Sequence, residues 1–299
     1  MNPPVELRRE RDFGQKINAT FQFATQNAKP LIRCLLYLVA PVALVAGVVG
    51  GLYQSRIFSF MSAKPIGVRN TDPMGQIYAQ FFSPDYWAFA VLLTVSGVVL
   101  TLTVCAFLAE YEASGNRPPS VPQVWQRVRR HLPTGLGLAA LATLLILFSF
   151  LLLIIPGIYV AVALSLSFMV LVQENVSVGF AISRPFTLIS GKWWSTFGLL
   201  LVMYFIAGIV GYIFQLPTAV LSGLKLLQVL PVDLTLGFIF TTIISTLGTT
   251  LLQSLVVLAA AFQYYNLVEK KEGVGLLNSI RQIGQATPNP ATSHEQGDF

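Results

Sequence analysis

Histidine and cysteine are almost missing from this chain: its 299 residues contain two of each, and only thirteen are Asp or Glu. That scarcity removes most soluble-enzyme chemistry. His131 lies in a basic segment and His294 in the C-terminal tail, so neither a His-Glu-x-x-His zinc helix nor a Ser–His pair within an apolar run can be assembled. Walker and dinucleotide-binding glycine patterns are absent as well. Cys34 and Cys105 sit inside apolar runs, where a thiol behaves as a small hydrophobe, so no disulfide framework or metal site is expected. The reading is no catalytic residue, no metal and no cofactor.

Charge is the other deficit. Asp, Glu, Lys and Arg make up 11% of the chain, against about 25% in an ordinary soluble domain. Apolar residues reach 54% and the mean hydropathy is +0.67. A water-exposed surface cannot be covered with so few charges, so the sequence reads as an integral membrane protein. Crossing a bilayer core of about 30 Å at about 1.5 Å per residue takes about 20 apolar residues. Six stretches meet that length, at about 31–53, 86–111, 134–155, 157–173, 194–216 and 234–265. The third and fourth share one uncharged run interrupted by Pro156 and Gly157, which read as a tight structural turn.

The Lys and Arg residues between these stretches are unevenly placed. Fifteen of the nineteen lie in the N-terminal segment through Arg33, follow the last span, or lie at 112–133 and 174–193; only Arg56, Lys64, Arg69 and Lys225 fall in the alternate segments. The positive-inside rule then places both termini in the cytoplasm. The net charge of +6 belongs to that face, where anionic lipid attracts it. No compact basic patch with exposed aromatics supports nucleic-acid binding. Tyr53, Trp87, Tyr111, Trp193, Trp194 and Tyr265 fall near span ends, as interfacial aromatics do. The polar first 30 residues have the wrong order and length for a cleaved signal peptide.

Each basic segment contains a helical pattern. Phe13, Ile17, Phe21 and Ala24 recur at helical spacing; Ser120 caps a stretch with Val121, Val124, Trp125, Val128 and Leu132 on one face; Ser177 caps another with Val178, Ala181, Ile182 and Phe186. Leu276, Leu277, Ile280 and Ile283 form a fourth. Such helices either lie in the headgroup region or pack on the ends of the bundle. The predicted architecture is an all-α membrane protein of six transmembrane helices, arranged as three hairpins each preceded by a cytoplasmic amphipathic helix. In domain terms, 1–30 is a cytoplasmic amphipathic segment, 31–268 the six-span domain, 269–284 a C-terminal amphipathic helix and 285–299 a disordered tail.

Polar side chains inside the spans are hydroxyls and amides. Thr242, Thr246, Thr249 and Gln253 form one helical stripe, and Thr94, Thr101 and Cys105 another. Either could line a polar groove, or simply bond neighbouring helices. No ionisable residue sits at a midplane; Arg33, Glu110 and Glu174 lie near cytoplasmic ends. Gly47 and Gly51, at small-xxx-small spacing, and Gly208 with Gly211 permit close helix approach.

Ile155-Pro156-Gly157-Ile158-Tyr159-Val160, Val162, Leu164-Ser165, Ser167-Phe168, Val170 and Glu174, then Ser177-Val178-Gly179 and Gly191-Lys192-Trp193-Trp194, resemble a broad bacterial family. It is the uncharacterised six-span inner-membrane family related to the membrane domain attached to some glycerophosphodiester phosphodiesterases, including YciC-like proteins. Relatives commonly carry an acidic residue and further arginines after the Ser-Val-Gly, where this chain has Phe180, Ala181 and Arg184. The resemblance implies membrane location and fold, not phosphodiesterase chemistry.

Two functions follow as expectations. The first is a non-enzymatic inner-membrane accessory or scaffold protein that engages anionic lipid, a membrane-protein partner or a second copy of itself. Its cytoplasmic surface would be Arg127, Arg129, Arg130, Arg184 and Lys192. The second is a facilitator or binding protein for a lipid or amphiphile, using Thr242, Thr246, Thr249, Gln253, Thr94 and Thr101 as a polar groove between spans.

Overall fold

The computed structural model describes residues 5–62, 75, 78, 80–227 and 233–273. The expected helix at 269–284 falls mostly outside the described residues, and the tail at 285–299 entirely so, along with Lys64, Arg69 and His294. The structure is helical, with no strand among the described residues.

Helix α1 (Phe13–Gln26) begins at a capping box: Asp12 accepts from the Gln15 backbone N–H, and the Gln15 side chain accepts from that of Asp12. After Asn27, α2 (Ala28–Cys34) continues through a π-helical turn (Leu35–Val39) into α3 (Ala40–Ser62). The widened turn has a local cause. Pro41 has no N–H to offer the preceding turn, and the Ala40 N–H reaches back five residues to the Leu35 carbonyl. The remaining helices are α4 (Pro84–Ala113), α5 (Val121–Leu152), α6 (Ile154–Leu164), α7 (Ser167–Glu174), α8 (Val178–Ile189), α9 (Trp193–Leu226) and α10 (Thr235–Glu272).

Six stretches are long and apolar enough to cross a membrane: Ala28–Ser59, Pro84–Ala113, Val121–Leu152, Ile154–Glu174, Trp193–Leu226 and Thr235–Glu272. The third is longer than the 134–155 span read from sequence. The capped segment starting at Ser120 runs unbroken into the span despite Pro133, where the Thr134 hydroxyl bonds the His131 carbonyl. The break between the third and fourth falls at Leu153, whose backbone is extended, rather than at Pro156 and Gly157. Those two residues occupy the first turn of α6, where a proline's missing N–H costs nothing. Gly157 makes room for the Phe150 ring, which would lie 2.5 Å from a Cβ there. The fourth span is itself two helices, α6 and α7, jointed at Ser165 and Leu166.

Helix α10 lies between α3 and α9, packing most extensively against those two. Gly47 and Gly51 bring α3 into backbone contact with α10: a Cβ on Gly51 would stand 2.4 Å from the Ile239 Cα, and one on Gly47 2.9 Å from that of Ile243. Their spacing therefore serves packing within the chain. The two ends of the bundle differ. At one, Arg56 pairs with Asp85 and the Ser55 hydroxyl meets that of Thr235. At the other, α1 and the residues before it dock on α4, α9 and α10 through a network of charged and polar groups that α7 joins through Gln173.

Helices α1 and α8 each bury one side against the bundle. In α1 the buried residues are Lys16, Ala19, Thr20 and Phe23, while Phe13 is exposed and Ile17, Phe21 and Ala24 are half-buried. The helix is thus rotated from the face that hydropathy alone selects. In α8, Ala181, Pro185, Leu188 and Ile189 are buried, and Val178, Ile182 and Phe186 pack on the core. Tyr111 and Tyr265, read as interfacial aromatics, are buried in the core; Trp87 and Trp194 are exposed.

Candidate functional site

The wall of α4 that carries Thr94, Thr101 and Cys105 faces a cavity of about 430 Å³ bounded by α5, α6, α7, α9 and α10. Small residues create it: Gly97, Ala139, Ala142, Ala161, Ala260 and Ala261 line its sides, where larger side chains would close the gap. Among the described residues, none that line it carries a charge. The polar groups are Thr94, Thr101, Thr143, Ser165, Tyr204 and Gln253, set among leucine, isoleucine, valine, methionine and phenylalanine.

Most of these hydroxyl protons are already committed. Thr94 donates to the Ala90 carbonyl at 2.9 Å, Thr101 to Gly97 at 2.8 Å and Ser165 to Val162 at 2.7 Å. Each hydroxyl keeps lone pairs, so these three positions offer hydrogen-bond acceptors. Across the gap, Gln253 Nε2 donates to the Tyr204 hydroxyl at 3.4 Å. Beside the cavity, the hydroxyls of Ser96 and Ser167 are buried without a hydrogen-bond partner. The site is an apolar cavity with a few hydrogen-bond acceptors, within the size range of small-molecule sites.

The stripe on α10 does not enter this cavity as a unit. Thr242 is buried and donates to Gln54 Oε1 of α3 at 3.3 Å, Thr246 is buried, and Thr249 returns its proton to the Ser245 carbonyl at 2.7 Å. Only Gln253 lines the cavity. Because α10 is flanked on both sides, successive turns of its stripe meet different neighbours, first α3 and then α9. Thr143, Ser165 and Tyr204 carry no periodic signal and come together only where six helices converge.

Towards the end that binds α1, the charged network begins. Glu112 accepts from Arg8 Nε, from Gln173 Nε2 at 2.7 Å and from the Tyr265 hydroxyl at 3.0 Å. Glu174 accepts from the Tyr264 hydroxyl at 2.9 Å and stands 3.5 Å from Arg184, which also pairs with Glu272. Arg127 bonds Glu110 at 2.6 Å. Arg129, Arg130 and Lys192 are exposed. Of the five basic residues of the candidate lipid or partner surface, Arg127 and Arg184 are paired with carboxylates.

Lys16 lies on the buried face of α1. It is buried, with its ammonium donating to Ser195 Oγ at 2.9 Å and Gln263 Oε1 at 2.8 Å, while Gln263 Nε2 donates to Thr196 Oγ1 at 2.8 Å. Burial, reinforced by Lys270 and Lys192 and opposed by Asp12, pushes its pKa down to about 8. The cluster ties α1 to α9 and α10. Among the described residues, no three His, Cys, Asp or Glu side chains converge to hold a metal.

Compared with known proteins, the chain matches no family model, no curated protein and no solved structure.

Proposed function

We propose that this chain is a non-enzymatic multi-pass membrane protein that binds a lipid or other amphiphile in the cavity between its spans. The observation carrying this reading is the cavity itself: about 430 Å³, uncharged, small-residue walls, with acceptor oxygens from Thr94, Thr101 and Ser165. Its volume falls in the range of small-molecule sites, about 300–1,000 Å³. The absence of a cation among the lining residues selects the ligand. An acyl chain with a neutral, hydroxyl-bearing portion can donate to these acceptors, whereas a phosphate or carboxylate placed here would go uncompensated. A bacterial inner-membrane location, with both termini cytoplasmic, completes the proposal. It rests on the fifteen-to-four distribution of Lys and Arg and on the resemblance of residues 155–194 to the six-span family.

Replacing Thr94 and Thr101 with Val and Gln253 with Leu keeps side-chain size while removing the polar groups. Native mass spectrometry from mild detergent is expected to show lipid on the parent protein and depleted neutral lipid on the triple variant, at unchanged thermal stability. Equal lipid on both would reject the assignment.

The accessory or scaffold reading has one observation of its own, the exposure of Arg129, Arg130 and Lys192. A second polypeptide retained by the parent, and lost on replacing these three with Gln, would support it. Turnover of a substrate by the purified protein in liposomes, with no partner, would contradict both readings.

A further inference from the structure

The turn joining α5 to α6 contains no polar side chain. Leu151, Leu152, Leu153, Ile154 and Ile155 are 82%, 61%, 68%, 69% and 82% exposed, the most exposed run of large apolar residues among the described residues. No Asp, Glu, Lys or Arg occurs from His131 to Gln173. The other two junctions at this end of the bundle differ. Arg56 pairs with Asp85 between α3 and α4, and Asp233 accepts from both the backbone and the hydroxyl of Thr235 at the start of α10. The described residues flanking those junctions are charged and polar; those of the α5–α6 turn are not.

Length makes the same point. From Thr134 to Leu152, α5 offers 19 residues, or about 28 Å at about 1.5 Å per residue. The return leg Ile154–Glu174 has 21 residues, about 31 Å before its joint is allowed for. With Arg129, Arg130 and Glu174 at one interface, the turn just reaches the far limit of a hydrocarbon core about 30 Å thick, leaving nothing over for a loop.

We infer that the α5–α6 turn ends within the far edge of the bilayer, its apolar tip covered by lipid acyl chains, without emerging as an aqueous loop. The backbone fixes the depth. Of the four N–H positions at the start of α6, Leu153 donates to the Ser149 carbonyl and Pro156 has none, leaving those of Ile154 and Ile155. The last carbonyls of α5 are likewise without helical partners. Each such group costs several kcal/mol in dry hydrocarbon, so the turn belongs at the boundary, where interfacial water reaches the backbone, rather than at the midplane.

The test is a nitroxide on Leu153→Cys in the full chain reconstituted into liposomes, with Asp233→Cys, exposed ahead of α10, as the aqueous reference. Cys34 and Cys105 are buried and serve as the unlabelled background. Collision with oxygen is expected to exceed collision with a water-soluble nickel chelate at 153, with the reverse order at 233. Nickel collisions at 153 matching those at 233 would overturn the inference, showing an aqueous loop. Low collision rates with both reagents would also overturn it, because a protein surface, such as a second copy, would then cover the tip. Ile155→Cys provides the same reading if the first variant does not insert.

Discussion

Lys16 concentrates the physics of the docked end at one residue. An ammonium held by two neutral oxygens, with Lys270 and Lys192 nearby and Asp12 as a partial offset, binds its proton less tightly folded than unfolded. The sign follows from linkage: between about 8 and 10.5 the unfolded chain holds more protons, so stability rises with pH across that window. Below it, the full penalty of the buried charge remains. Thermal unfolding in detergent should show this rise in the parent and lose most of it in Lys16→Met. An identical pH profile in the two proteins would contradict the assignment. Glu112 poses the complementary case, since its carboxylate gathers Arg8, Gln173 and Tyr265. Glu112→Gln leaves Arg8 without its anion and should increase hydrogen exchange across residues 5–26, with a stability loss of about 1–3 kcal/mol. Unchanged exchange there would show that the N-terminal segment is held by its apolar contacts alone.

At the level of elements, the close contact of α3 with α10 gives a paired prediction. Gly51→Ala drives a methyl into the Ile239 backbone and should cost about 1–3 kcal/mol. Gly208→Ala meets nothing within 4 Å and should fall within about 0.5 kcal/mol of the parent. Equal thermal stabilities would show that the glycine spacing on α3 does not set the approach. The same elements explain what could be read in advance. Long apolar runs without charge reveal six span-length helices because hydropathy is summed over twenty residues and tolerates local error. The position of a break is decided by a few backbone groups, and Leu153 bears no mark in sequence that distinguishes it from Pro156. The face of α1 was misjudged for a related reason: Lys16 looks like a solvated residue until Gln263, far along the chain, supplies an acceptor. Periodicity placed Thr242 and Gln253 on one stripe, but the neighbours of α10 determine which hydroxyl meets a helix and which meets a cavity.

Across the whole molecule, polarity is arranged in layers. Among the described residues, one end carries the Glu112 and Glu174 networks and the docked α1, the cavity lining carries no charge, and the other end has the Arg56–Asp85 pair and the apolar α5–α6 tip. The third and fifth candidate spans are the least enclosed by the rest of the chain, and both bound the cavity. The central claim is occupancy of that cavity, and the most direct measurement is photocrosslinking in liposomes with a neutral lipid bearing a diazirine on its acyl chain. Adducts are expected on residues 94–105 of α4 and 253–261 of α10, and are expected to be lost when Ala142→Phe fills the space between them. Adducts confined to the exposed surfaces of α5 and α9, and unchanged by Ala142→Phe, would contradict the account.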